Sequence, residues 1–117
     1  MLSLSASTKV FFALGATDMR KGFDGLSGII TSQLQGDPLS GALFLFVNRR
    51  RDRLKVLYWD GDGLAIWYRR LEQGTFRLPR VGHHASCVEF RSDEFTMFLR
   101  GVDLASVKRH RRFLLRC

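Results

Sequence analysis

Ala42-Leu43-Phe44-Leu45-Phe46-Val47 is an unbroken apolar run. Its length suits a strand, and apolar side chains of both parities mean burial on both faces. A chain containing such a strand must build a sheet around it. The downstream sequence supplies partners. Leu54 to Trp59 and Leu64 to Leu71 are β-prone and are separated by Asp60-Gly61-Asp62-Gly63. Asp-Gly pairs accept positive φ cheaply and mark hairpins. Glu72-Gln73-Gly74 reads as a second turn into a strand over Thr75 to Leu78 that Pro79 stops, and Cys87 to Phe90 as a further short strand. Residues Val81 to Ala85 read as a loop.

Upstream, Lys9 to Leu14 forms the expected first strand. Ala16-Thr17-Asp18 offers helix-capping chemistry. Met19, Phe23, Leu26 and Ile30 then recur at helical spacing until Gly36-Asp37-Pro38. Gly22, Gly25 and Gly28 weaken this helix unless they let it lie close on the sheet. Ser92-Asp93-Glu94 opens a second helix, with Phe95, Phe98 and Leu99 at helical spacing and Gly101 as its end. The expected class is α+β: a mostly antiparallel meander, one helix after the first strand and one C-terminal helix. Residues 1–104 form a single domain. Residues 105–117 are a basic tail, either an arm or a third helix packing Val107, Phe113 and Leu114.

Charge bounds the partners. Fifteen of the nineteen basic residues are arginine, the net charge is +8 and the pI is near 10.5. Clustered guanidinium groups suit phosphate oxygens, which points to nucleic acid. No apolar run approaches the length of a membrane span, and residues 1–7 lack the pattern of a secretory signal, so no membrane partner and a cytoplasmic location are expected. Cys87 and Cys117 are then expected as free thiols.

Three basic groups are candidate DNA contacts. Arg20 and Lys21 follow the expected cap, where free N–H groups and two cations make a phosphate site; the alternative is pairing with Asp18 and Asp24. Arg49, Arg50, Arg51 and Arg53 occupy the tip between two strands, where a β-ribbon can straddle phosphates, and Asn48 beside them can reach a base edge. The bland reading is a solubilising loop that blocks edge pairing. Lys108, Arg109, Arg111 and Arg112 charge the tail. Tyr58, Trp59, Trp67 and Tyr68 are either core or stacking surfaces.

Catalytic chemistry finds little purchase. Asp60 and Asp62 begin like a calcium loop, but Leu71 stands where its glutamate belongs. Most of the acids, among them Asp18, Asp37, Asp60, Asp62 and Asp93, sit where turns and helix starts need them. His83, His84 and Cys87 lack a fourth zinc ligand. No P-loop or nucleophile elbow is present. Neither a metal nor another cofactor is expected, and the chain reads as no enzyme.

Thr17-Asp18-Met19-Arg20-Lys21-Gly22-Phe23-Asp24-Gly25-Leu26, then Gly41 to Phe46, then Asp52 to Leu64 with its Trp59-Asp60-Gly61-Asp62-Gly63-Leu64 string, resemble the TnpB-type accessory protein of the sixty-six family of bacterial insertion sequences. The likeness covers most of residues 8–104. It implies a small non-catalytic helper of transposition, distinct from the RNA-guided nuclease that shares the TnpB name, acting beside a larger transposase and other element-encoded accessory proteins. It brings no catalytic residues. Two roles stay open: DNA binding through the arginine surfaces, or an adaptor that binds the transposase without touching DNA.

Overall fold

A computed structural model describes residues 5–78 and 85–100, together with the backbone of Phe113–Leu114. Strands β1 (Val10–Ala16), β2 (Leu43–Val47), β3 (Arg53–Trp59), β4 (Leu64–Arg70), β5 (Cys87–Phe90) and β6 (Phe113–Leu114) form one sheet in the order β4-β3-β2-β1-β5-β6. Helix α1 (Phe23–Ser32) follows β1, and α2 (Ser92–Leu99) follows β5. The architecture is α+β, and among the described residues only the β1–β2 pair is parallel. That pair follows from the α1 crossover, since parallel neighbours need a long connection. The meander holds for β2, β3 and β4, whereas β5 returns to the far side of β1.

The apolar run is the sheet's interior, as its pattern requires. Leu43, Leu45 and Val47 pack with Val10, Phe12, Leu54, Val56, Phe76 and the α2 residues Phe95 and Phe98. Phe44 and Phe46 face the other way, with Phe11, Ala13, Leu57 and the α1 residues Leu26 and Ile30. Phe44 stacks on Phe11 at 5.6 Å between centroids, and Phe76 on Phe98 at 5.2 Å. Such ring pairs add to the area they bury.

Several boundaries differ from expectation. Helix α1 starts at Phe23 with Gly22 as its cap, so Met19 lies outside it. Asp18 instead accepts the Arg20 N–H at 2.9 Å, closing a turn that delays the helix. The helical glycines do not serve close sheet packing. A Cβ on Gly25 would meet the Lys21 stem at 3.1 Å, and one on Gly28 would meet nothing within 4 Å. Thr75 to Leu78 is no strand: Phe76 is buried, but its N–H is taken by the Arg51 carbonyl at 2.7 Å, a loop-to-loop bond. Phe113–Leu114 pairs antiparallel with Val88 and Cys87, so these two residues are extended, neither helical nor a detached arm. Cys87 is buried and disulfide-bonded, correcting the expected free thiol. Compartment suggested the thiol; what decides is whether folding brings a second sulfur into bonding reach. The loop expected over Val81 to Ala85 falls outside the described residues up to 84, as does the helix stop at Gly101.

Candidate nucleic-acid interface

The loop between β2 and β3 is built around Asn48. Its Oδ1 accepts the N–H groups of Asp52 and Arg53 at 3.0 Å each, and its Nδ2 donates to Asp52 Oδ1 at 2.7 Å. The Asn48 amide oxygen is thus spent on the loop, and one Nδ2 N–H is left over for a further acceptor. Arg51 has φ 62°, an uncommon conformation for a residue with a side chain. It is held by its N–H to the Asn48 carbonyl at 3.1 Å and by the bond from Phe76 to its own carbonyl. The Asp52 carbonyl also takes the Leu71 N–H at 2.7 Å. The result is a braced tip. Arg49, Arg50 and Arg51 project from it exposed, with no side-chain partner among the described residues.

The Asp18–Arg20 turn meets this tip because the Thr17 N–H donates to the Val47 carbonyl at 2.9 Å, at the end of β2. Together they line a cleft of about 430 Å³ formed by Thr17, Asp18, Met19, Arg20, Asn48, Arg49, Arg50, Asp52 and Arg53. Two candidate groups nearly thirty residues apart in sequence therefore share one concave basic site. Arg20 pairs with Asp18 at 2.7 Å. The Arg20 guanidinium and N–H hold the Asp18 carboxyl down at about 2, and Asp18 in turn raises the Arg20 pKa. The pairing with Asp18 expected as the alternative is present. It leaves the arginine outermost, with 91% of its side chain exposed.

Lys55 was not a sequence candidate, yet it positions this site. Its side chain is buried, and its Nζ donates at 2.8 Å to the carbonyls of both Met19 and Lys21. A lysine buried in β3 is thus satisfied by the turn that carries Arg20, and ties that turn to the sheet. Lys21 itself is exposed. Arg53 donates to the Tyr68 hydroxyl at 3.3 Å and sits directly opposite Arg70 in the β3–β4 register. Like charges so placed repel. The Arg70–Glu72 ion pair, 2.9 Å, relieves part of this and raises the Arg70 pKa. Arg70 was missed because nothing short of the strand register puts it beside Arg53.

Asp60 is consumed by the hairpin. Its Oδ1 accepts the N–H groups of Asp62 and Gly63 at 2.9 Å, which lowers its pKa, and Gly61 takes φ 107°. Among the described residues no three His, Cys, Asp or Glu side chains gather as a metal site. His83, His84, Lys108, Arg109, Arg111 and Arg112 lie outside the described residues. No helix among those described is long and apolar enough to cross a membrane.

The profile of the family described as IS66 Orf2 like protein matches residues 8–109. Protein y4jC of Sinorhizobium fredii is 35% identical over 109 residues, covering 93% of this chain and 92% of that protein. Protein y4hO of the same organism is 33% identical over 103 residues, covering 88% of each. No solved structure matches.

Proposed function

Because the chain belongs to the IS66 Orf2-like family of transposition accessory proteins, we propose that it assists transposition by gripping DNA phosphates at the arginine cleft, without chemistry of its own. The observation that carries this reading is the convergence of Arg20, Arg49, Arg50 and Arg53 on one cleft. On the braced loop Arg49 and Arg50 are exposed and have no side-chain partner among the described residues to give up for a phosphate. Opposed Arg53 and Arg70 lose local stability and gain field, which suits a surface waiting for a polyanion. The tail cations Lys108, Arg109, Arg111 and Arg112 are further phosphate contacts in this proposal. The transposase and other element-encoded accessory proteins are the protein partners it implies, in the cytoplasm.

A salt titration of DNA binding tests the proposal. With about four to six phosphates engaged, log affinity falls against log salt with a slope of roughly −4 to −5. Absence of binding at about 50 mM salt, with recovery of the transposase in a pull-down, would replace it with the adaptor role.

A further inference from the structure

Strand alternation puts Ile66, Tyr68 and Arg70 on one face of β4, with Tyr68 opposite Lys55 and Arg70 opposite Arg53. Tyr68 is 47% exposed, whereas its neighbour Trp67 turns to the other face and packs against the core. The Tyr68 ring is held in place. The Lys55 ammonium lies 4.9 Å from its centroid, and Arg53 bonds its hydroxyl. Lys55 is itself pinned by the Met19 and Lys21 carbonyls. One side of the ring therefore carries a pinned ammonium and its hydroxyl end a guanidinium, and the exposed remainder is open to solvent.

We infer that Tyr68 is a stacking platform for an unpaired base, and that this surface takes single-stranded DNA in preference to duplex. The inference rests on the proposed DNA-binding role and adds the form of DNA. Arg53 joins the two features, because it lines the cleft and also bonds the ring. A strand whose phosphates follow Arg49, Arg50 and Arg53 brings its next base to the ring. Bases inside a duplex are stacked on one another and present only edges in the grooves, so a flat aromatic surface is useful only to a base that has left the helix. Phosphate-tracking cations beside an aromatic platform are the combination that single-strand binding uses. A ring already held in place gives up little further freedom on stacking.

The test compares binding of a fluorescent mixed-sequence single strand and its duplex by the parent, Tyr68→Leu and Tyr68→Phe. The expected result is tighter binding of the single strand by the parent. Tyr68→Leu should weaken single-strand binding about ten-fold or more, leave duplex binding unchanged, and be rescued by Tyr68→Phe. Single-strand affinity unchanged in Tyr68→Leu, or duplex bound by the parent as tightly as the single strand, overturns the inference and leaves the phosphate cleft standing. If neither form binds, the cleft falls with it. Should Tyr68→Leu fail to fold, irradiation of the native protein with a 5-iodouracil-substituted single strand decides: an adduct at Tyr68 supports the platform, and adducts elsewhere alone overturn it.

Discussion

The Lys55 ammonium donates to the Lys21 carbonyl at 2.8 Å, joining the middle of β3 to the turn before α1 across 34 residues of sequence. Its second bond, to the Met19 carbonyl, brackets Arg20 from both sides. The exposed arginine of the cleft is therefore set in place by a buried lysine that does not line the cleft.

Lys55→Met keeps the side-chain stem and removes both bonds, leaving two part-buried carbonyls without that donor. Loss of charged hydrogen bonds of this kind should cost about 2–3 kcal/mol, read from urea unfolding. At matched folded fraction, DNA affinity should fall as well, because the Arg20 turn is no longer tied to the sheet. Unchanged affinity would show that Arg20 needs no such support.

Asp18 gives a pH signature. Its carboxyl titrates at about 2 in the folded protein against an ordinary 3.8, so the unfolded chain takes up the proton first. The stabilisation is complete above about pH 4 and is lost as the pH falls toward 2. Asp18→Asn should therefore differ from the parent in urea midpoint at pH 5, with the difference shrinking at pH 3 and below. The same substitution releases Arg20 and removes a negative charge from the cleft. DNA binding should tighten, with a salt slope steeper by up to about one unit.

Asn48 and its arginine neighbours should separate folding from binding. Asn48→Ala deletes three hydrogen bonds that shape the loop and should destabilise the protein by about 1–3 kcal/mol. Arg49→Ser with Arg50→Ser removes no side-chain hydrogen bond or ion pair among the described residues and should change stability by about 0.5 kcal/mol or less per site. It should flatten the salt slope by about one unit for each phosphate that the variant no longer engages. If the double variant stays folded and binds DNA as tightly as the parent, these arginines serve solubility alone.

Features specified by local patterning are legible in the sequence. The run Ala42 to Val47 announces a strand buried on both faces, and it lies at the sheet's interior. Asp60 to Gly63 announces a hairpin, because the carboxylate bonds and the positive φ of Gly61 are local to the turn. Cys87–Phe90 and the start of α2 at Ser92 are readable for the same reason. The start of α1 is misplaced by pattern alone because two local signals compete there. Asp18 can cap a helix or close a turn on Arg20, and here the turn wins.

Phe76 shows where pattern reading stops. Its segment carries strand-like residues, but its backbone bond is claimed by Arg51, twenty-five residues earlier, so it joins the core without joining the sheet. The candidate site divides the same way. Clustering singled out Arg49, Arg50 and Arg53, and a place just after an expected helix cap singled out Arg20, since both are properties of the chain. Only tertiary structure decided that they share a cleft, that Asn48 braces it, that Lys55 sets the Arg20 turn, and that Tyr68 lies against Arg53. Those relations depend on strand register and on bonds between distant segments, and these exist only once the sheet has closed.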